Sequence, residues 1–490
     1  MTPIHRQRST VLMYYEGHRE FPSVWKIDSF WYKPWVPTAP EITREATREQ
    51  GLHHQLSAGQ MTMVAVGGSI GTGLLLGSAS AIGIAGPAVI LSFLLAAFIN
   101  FLVTMALGEL ASRHPAAGSF GVYGDLYLNH WAGFLSRAGY WAALSVSIGG
   151  ELIASATYMR YWFPQVPALV WVVIFSGLLL LVNFWDVGHY GRFEFWFAMI
   201  KVVTIAAFVV LGAALLLSGR TPAQYTSQGG FFPVGVWAPL LAITFAIYTF
   251  GGVEFVAVTS GESRSVEEIG RAVRMTFITL VLVYLGAIIV LVGIMPWNRA
   301  GVSESPFVTV FRSVNIPGAA PIMNFVVLTA ALSGANAALY VSSRMLFSMA
   351  RTGWAPARLG HLNSAGSPTF ALLVSSYGIV AALILEKWAP ANAFEYLLRG
   401  AFTGMILSWV VSLAAHASFR RTLKPEEVAA LPVRSPFGGW GSIIGFVVVS
   451  AAILKTWWDS RVNFISGAAL LLVLTVAYFL LRTKRKSGSA

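Results

Sequence analysis

Apolar segments long enough to cross a bilayer as helices recur along most of this chain. A membrane-spanning helix needs roughly 20 predominantly apolar residues. Because lipid offers no partner to backbone polar groups, only helices and closed barrels cross a bilayer. Hydrophobic patterning indicates twelve candidate spans, and the sequence therefore predicts an all-α integral membrane protein. The spans lie at about 61–82, 86–107, 132–159, 167–184, 194–218, 237–260, 274–296, 321–347, 369–386, 401–419, 440–458 and 462–481.

The distribution of basic residues predicts the orientation of the chain in the membrane. Placing both termini and alternate loops on one side collects 24 of the 33 Lys and Arg residues there, against eight on the other side, with Lys201 inside a span. Cytoplasmic loops carry the excess of Lys and Arg. The sequence thus predicts a multi-pass protein of the cell membrane with both termini in the cytoplasm. The basic excess is explained without nucleic acid as a partner.

The first span contains an unusual concentration of glycine, GGSIGTG at 67–73. Glycine is the residue with the largest entropic cost in a helix interior. A helix that is interrupted at membrane depth needs partners for its loose N–H and C=O groups, which it finds only inside protein or beside a polar cavity. The stretch is therefore either half of a substrate site or a close helix contact through small residues.

A second interruption is predicted in the sixth span, where FAIYTFGGVE occupies 245–254. The two glycine-rich stretches begin two successive five-span units. Interrupted helices in corresponding positions of two halves are the best sequence pointer to a transporter site between inverted repeats. The recurrence favours the substrate-site interpretation over helix packing.

The ends of interrupted helices also suggest the ligand. Free N–H groups and the positive dipole end, after Gly71 and Gly73, favour a carboxylate. Free carbonyls and the negative dipole end, around Ser69-Ile70 and Thr249-Phe250, favour an ammonium group. A small zwitterion such as an amino acid satisfies both ends, whereas an inorganic ion or a sugar would use only part of the arrangement.

Four ionisable residues are predicted to lie at membrane depth, where charge is costly and points to function. Lys201 is either a group that changes protonation during the working cycle or a lysine whose amine reaches the cytoplasmic interface. Glu254 either gates, couples protons or caps freed N–H groups. Glu151 either faces the cavity or forms an interhelical hydrogen bond. Glu109, at the end of the second span, is predicted to form a charged pair on the cytoplasmic side that is either structural or part of a gate.

Other chemistry is not indicated. The glycine-rich stretch lacks the spacing of a dinucleotide fingerprint, and no phosphate-binding loop signature occurs. The histidines are scattered and the chain has no cysteine, so no metal site is predicted. An enzyme is therefore disfavoured.

Several long stretches carry a resemblance to a known family. They are MTMVAVGGSIGTGLLLGSA (61–79), ALGELASRHPAAGSFGVYGDLY (106–127), YGRFEFWFAMIKVVTI (190–205), FGGVEFVAVTSGES (250–263) and MNFVVLTAALSGANAALYVSSRML (323–346). The chain resembles the amino acid permeases of the amino acid–polyamine–organocation (APC) superfamily, in the bacterial branch that includes GABA, lysine and proline permeases. The resemblance implies a LeuT-like fold of twelve transmembrane helices with helices one and six broken. It divides the chain into a cytoplasmic tail (1–56), two inverted five-helix repeats (57–220 and 235–420), two peripheral helices (437–481) and a C-terminal tail (482–490).

The resemblance also implies roles for individual residues. Two backbone stretches would hold the substrate: Ser69, Ile70, Gly71, Thr72 and Gly73 in the first span, and Tyr248, Thr249, Phe250, Gly251 and Gly252 in the sixth. Tyr248 matches an aromatic gate, and Asn336 matches a cavity-facing asparagine. Lys201 matches a lysine that replaces sodium in proton-coupled relatives, so a proton is favoured over sodium as the coupling ion, with no other cofactor. The expected function is amino acid uptake by proton symport; an amino acid or amine exchanger and a non-transporting sensor remain alternatives.

Overall fold

The computed structural model describes residues 56–115, 119–185, 190–301, 304–314, 316–363, 367–459 and 461–487. Across these ranges the structure is helical, with no strand and one isolated bridge between Leu56 and Ser263. This confirms the all-α prediction. The predicted N-terminal tail falls outside the described residues except for Leu56.

Nineteen α-helices are described within these ranges. In chain order they are α1 (Ala58–Ser69), α2 (Thr72–Leu75), α3 (Gly77–Ala85), α4 (Val89–Arg113), α5 (Ser119–Tyr127), α6 (His130–Met159), α7 (Ala168–Trp185), α8 (Tyr190–Leu217), α9 (Ala238–Thr249), α10 (Phe255–Thr259), α11 (Val266–Ile294), α12 (Pro306–Ser313), α13 (Ala319–Arg351), α14 (Thr369–Ser375), α15 (Tyr377–Trp388), α16 (Ala393–Thr422), α17 (Pro425–Ala429), α18 (Gly438–Asp459) and α19 (Arg461–Ser487). Each of the twelve apolar segments overlaps at least one of these helices.

The two predicted interruptions occur where the glycines lie. The first apolar segment is divided between α1, α2 and α3, and the sixth between α9 and α10. Helix α1 begins with a capping box, in which the Ser57 hydroxyl accepts from the Gln60 N–H and the Gln60 side chain accepts from the Ser57 N–H. The chain therefore enters the first broken helix at a well-defined end.

Eight helical stretches within the described ranges are long and apolar enough to cross a membrane. Helix α6 is not among them, although it is 30 residues long and corresponds to the third predicted span. Most of its residues are buried inside the protein, including Arg137 and Glu151. A helix surrounded by other helices does not face lipid, so it tolerates polar residues that a lipid-facing span excludes.

Packing places α6 at the centre of the fold. Its most extensive contacts are with α13 and α16, while α1 packs against α8 and α11, and α9 packs against α3 and α4. The broken helices and α6 thereby surround one interior space. Polar residues of α6 can reach both breaks.

Some features were not predicted. Three short helices (α5, α12 and α17) lie between the apolar segments, and α19 continues through most of the predicted C-terminal tail to Ser487. The apolar pattern finds only segments long enough to span, so it overlooks such short helices.

Candidate functional site

The first break separates α1 from α2 by two residues. The Ile70 N–H still donates to the Val66 carbonyl at 2.8 Å, and the Gly71 N–H then turns to the Ser69 carbonyl at 3.0 Å. Gly71 is extended, with φ −123° and ψ −158°. Helix α2 then begins at Thr72.

Glu151 occupies the start of the second helical piece. Its Oε1 accepts a hydrogen bond from the Thr72 N–H at 3.2 Å. A Cβ at Gly71 would lie 2.6 Å from the same oxygen, so glycine leaves the room that this carboxylate takes. The side chain of Glu151 is 8% exposed, and its Oε2 accepts no hydrogen bond from the described residues. Both sequence interpretations of Glu151 therefore hold, because it makes an interhelical hydrogen bond and faces the interior space.

The carbonyls that end α1 are held by side chains from two other helices. The Lys201 ammonium of α8 donates to the Gly67 carbonyl at 2.7 Å, and the Tyr284 hydroxyl of α11 donates to the Ser69 carbonyl at 2.7 Å. Lys201 is 2% exposed, so its amine does not reach the membrane surface. The sequence analysis treated the Ser69 carbonyl as free, and this was wrong: it accepts hydrogen bonds from both the Tyr284 hydroxyl and the Gly71 N–H.

The second break touches the first. Gly252 has φ 104°, and a Cβ there would lie 2.7 Å from the Ser69 hydroxyl oxygen, so both backbone conformation and space require glycine. The Gly252 N–H donates to Glu254 Oε2 at 3.1 Å. The Thr249 hydroxyl shares its proton between the Phe245 carbonyl of its own helix at 2.9 Å and the Gly73 carbonyl across the break at 3.2 Å. The two interruptions thus form one structural unit.

A cavity lies between the breaks and the helices α6, α13 and α16. It has about 600 Å³ of empty space, which includes the part open to solvent. Both polar and apolar groups line it, and none of the described lining residues is basic. The lining residues are Gly68, Ser69, Gly71, Gly73, Tyr140, Ala143, Leu144, Ser147, Glu151, Tyr248, Thr249, Gly251, Gly252, Glu254, Phe255, Gly334, Ala337, Ala338, Ala401 and Met405.

Most of the predicted site residues meet at this cavity. The exceptions within the two stretches are Ile70, Thr72 and Phe250, whose side chains are buried behind it. The Phe250 ring packs edge-on against Tyr284, with 4.9 Å between ring centroids. The Thr72 backbone N–H is still connected to the cavity, because it donates to the Glu151 carboxylate, which lines it.

Asn336 and Lys201 do not line the cavity. Asn336 accepts a hydrogen bond from Asn183 of α7 at 2.7 Å. Its prediction as a cavity-facing residue was wrong, because Gly334 and Ala338 face the cavity and residue 336 is two positions from each, on the opposite side of the helix. Lys201 acts one layer behind, through the Gly67 carbonyl.

The sequence analysis missed the lining from the other helices. Small residues at helical spacing face the cavity: Ala143 and Ser147 on α6, with Glu151 one turn further, and Gly334 and Ala338 on α13. Their spacing of four residues is the signal that predicts one shared helix face. Small residues are also typical of ordinary helix contacts in membranes, so the pattern alone did not distinguish them.

Glu109 lies outside this cavity in a buried ionic cluster. Its carboxylate pairs with Arg420 and lies 3.3 Å from the His416 Nε2 atom, and it accepts from the Ser435 N–H at 2.8 Å. Glu109 and His416 are fully buried. The cluster joins α4, α16 and the segment that leads into α18, which agrees with the structural pair that the sequence predicted. The described part of the chain contains no group of three or more residues that could hold a metal ion, and this cluster is not one.

Comparison with known proteins gives consistent matches over most of the chain. The family model described as amino acid permease matches residues 60–486. An uncharacterized amino acid permease, YtnA, of Bacillus subtilis (strain 168) is 34% identical over 453 residues, which cover 90% of this chain and 98% of the relative. The gamma-aminobutyric acid permease of the same organism is 34% identical, with coverage of 90% and 96%. The aromatic amino acid transport protein AroP of Escherichia coli (strain K12) is 35% identical over 402 residues, with coverage of 80% and 88%.

Proposed function

Since the chain belongs to the amino acid permease family, we propose that it is a secondary active transporter that carries amino acids into the cell together with a proton. It is a multi-pass membrane protein and not an enzyme. The contact between the Glu151 carboxylate and the Thr72 N–H carries the mechanistic part of the proposal.

The proposed architecture is twelve transmembrane helices in the cytoplasmic membrane, with both termini in the cytoplasm. Ten of them form two inverted five-helix repeats that alternate access to a central site, and two are peripheral. Support comes from the breaks, which begin corresponding halves of the sequence and meet in space at Ser69 and Gly252. The distribution of basic residues supports the orientation.

The proposed substrate site is the cavity between the breaks. A substrate carboxylate would bind at the start of α2, where the Thr72 N–H and the positive dipole end favour an anion. The substrate ammonium would lie beside the end of α9, where the dipole is negative, and within reach of the Glu254 carboxylate. An amino acid carries both groups on one carbon, so it bridges the two breaks. Tyr248, which lines the cavity and is half-buried, would cover it.

Substrate and proton are coupled at Glu151 in this proposal. The Glu151 carboxylate occupies the position that attracts the substrate carboxylate. Two carboxylates held together in a buried site do not both remain charged. A protonated Glu151 leaves the helix end more readily than a charged one, and the substrate carboxylate takes its place. Binding of substrate therefore brings a proton with it.

Lys201 supports a proton rather than sodium as the coupling ion. Its ammonium group lies 2.7 Å from the Gly67 carbonyl, immediately before the break. A sodium ion placed at these carbonyls would be repelled by the ammonium charge. Loss of a proton from Lys201 would weaken its hold on α1, which gives the lysine a role in releasing that helix during the cycle.

Transport into liposomes that contain the purified protein tests this function. Uptake of a labelled amino acid into vesicles without internal amino acid should rise when the outside is made more acidic, and should collapse when a protonophore removes the gradient. Uptake that ignores the gradient but needs internal substrate would establish exchange instead. Binding without flux would establish a sensor. Vesicles without protein give the background.

A further inference from the structure

The short helix α2 depends on side chains from other elements for its orientation. It is one turn long, from Thr72 to Leu75, and lies between two non-helical positions: Gly71 is extended, and Leu76 has φ −131° and ψ −45°. A single helical turn is not stable by itself. The hydrogen bond that Thr249 shares with the Gly73 carbonyl supports its middle, so its two ends need support of their own.

Both ends of α2 are held by side chains. At its start the Thr72 N–H donates to Glu151. At its end the Ser305 hydroxyl donates to the Leu75 carbonyl at 2.7 Å. Carbonyls at a helix end have no partner within the helix. Ser305 and Leu75 are at most 1% exposed, so bulk water cannot take the place of this donor.

Helix α12 fixes the position of Ser305. Ser305 is the N-cap residue of α12, and Pro306 follows at the first helical position, where its fixed φ suits a helix. Phe307 and Phe311, one turn apart, pack on Phe208 of α8, with ring centroids 4.8 and 5.5 Å away. The hydroxyl that holds α2 therefore comes from a helix that is itself anchored in the core.

A further pair of contacts joins α12 to the end of α6. The Arg312 guanidinium pairs with Glu304 at 2.8 Å and lies over the Tyr161 ring, 5.4 Å from its centroid. Tyr161 follows closely after the end of α6, the helix that carries Glu151. Helix α12 thus connects the end of α2 with the helix whose carboxylate holds the start of α2.

We propose that Ser305 is a positioning residue for the substrate carboxylate. By holding the Leu75 carbonyl it fixes the tilt of α2, and with it the direction of the Thr72 N–H that the substrate carboxylate takes over from Glu151. Binding groups act well only when the residues behind them hold them in place. Without this hydroxyl the buried carbonyl lacks a donor, and α2 turns away to find another. The inference rests on the proposed function and adds a residue from outside the cavity lining.

Kinetics of uptake into liposomes, measured for Ser305→Ala, test this role. The probe is a labelled amino acid that the wild-type protein transports, selected from the twenty by uptake. The matched control is Ser92→Ala. Ser92 is equally buried, and its hydroxyl donates at 2.8 Å to the carbonyl of Pro239, near the start of α9 and far along that helix from the break. Both variants lose one buried hydrogen bond, so their unfolding temperatures should fall alike.

Only the loss at Ser305 should affect substrate binding. Ser305→Ala should raise KM about tenfold, which corresponds to about one hydrogen bond. Its kcat should stay within about threefold of the wild-type value, because the lost contact acts on binding. Ser92→Ala should change neither parameter. Ser305→Cys keeps a weaker donor at the same place and should give a KM between those of the wild type and Ser305→Ala.

Two results would overturn the inference while amino acid transport stands: equal KM values for Ser305→Ala and Ser92→Ala, or a KM for Ser305→Cys as high as that for Ser305→Ala. Should Ser305→Ala fail to fold, Ser305→Cys is compared with Ser92→Cys, and a raised KM in the first alone is the expected result. If the wild-type protein transports no amino acid, the proposed function fails and the inference with it.

Discussion

The Lys201 ammonium group donates a hydrogen bond to the Gly67 carbonyl over 2.7 Å and so ties α8 to the end of α1. Lys201 is almost fully buried, and its partner lies two residues before Ser69, the last residue of α1. Any movement of α1 relative to α8 must break or rearrange this bond. In the proposed transport cycle, the protonation state of this amine influences the position of the first broken helix.

Replacing Lys201 by alanine is expected to reduce the dependence of uptake on external pH more than it weakens binding, while the proton taken up at Glu151 remains. The reason is that the substrate does not touch this amine, whereas release of α1 depends on it. The Gly67 carbonyl loses a donor, so a stability loss of about 1–3 kcal/mol is expected as well. The pH profile of uptake in liposomes checks the first point, with Lys387→Ala, at an exposed helix end, as control. An unchanged profile would remove Lys201 from the coupling mechanism.

Gly71→Val is expected to abolish amino acid binding while the protein still inserts and folds. A Cβ at this position meets Glu151 Oε1 at 2.6 Å, so the new side chain displaces the carboxylate and fills the substrate carboxylate position. Gly83→Val is the control, because a Cβ at Gly83 has nothing within 4 Å. Binding measured by thermal shift should be lost in the first variant and kept in the second. Wild-type affinity in Gly71→Val would place the substrate carboxylate elsewhere.

Glu109→Ala should destabilise the protein by about 3–5 kcal/mol, because it leaves the largely buried Arg420 guanidinium without its counter-ion and His416 without the carboxylate beside it. The comparison is Glu304→Ala, which removes a partly exposed pair with Arg312 and should cost about 1 kcal/mol or less. Thermal unfolding of both variants in detergent measures the difference. Similar losses in the two would mean that the buried cluster contributes no more than a surface pair.

Stability should fall on acidification through His114, which lies just beyond the end of α4. Burial, with a smaller contribution from Arg113, lowers the pKa of His114 from 6.5 to about 4. Between these values the unfolded chain binds a proton that the folded protein does not, so stability is lost as the pH drops from about 6.5 towards 4. The loss is below about 3 kcal/mol, because His114 is half-buried and solvent screens part of the effect.

His114→Gln should flatten this acid dependence, since glutamine does not titrate and can still bond the Tyr127 hydroxyl, which lies 2.5 Å from His114 Nε2. Unfolding temperatures measured at several pH values provide the comparison. His361→Gln, an exposed histidine, is the control and should keep the wild-type slope. If His114→Gln keeps it too, another group causes the acid sensitivity.

The sequence predicts the parts of this site that depend on a local signal and misses those that depend on how helices pack together. The breaks were predicted because glycine inside an apolar span is a local signal, and Gly71 and Gly252 lie where backbone must bend or approach closely. The small residues that line the cavity from α6 and α13 were not predicted, because an alanine such as Ala338 has the same pattern in a cavity and in a helix contact. The occupation of the Thr72 N–H by Glu151 joins residues 79 positions apart, and no local pattern records which helix faces which.

Asn336 shows the opposite kind of error: the sequence predicted a cavity-facing side chain that the structure does not place there. The family motif correctly identified the part of α13 that lies at the cavity, since Gly334 and Ala337, close to Asn336 in sequence, line it. The rotation of α13 about its axis decides which of these neighbours faces inward. That rotation is set by packing against neighbouring helices, above all α6, which a single motif does not contain.

Proton uptake on substrate binding tests the central claim most directly. Calorimetric titration of an amino acid into the purified protein, in buffers of different ionisation enthalpy, counts the protons that accompany binding. We predict about one proton for the wild-type protein, because Glu151 is protonated as it yields the Thr72 N–H to the substrate carboxylate, and none for Glu151→Gln. Binding without proton uptake in the wild-type protein, or with the same uptake in Glu151→Gln, would contradict the account.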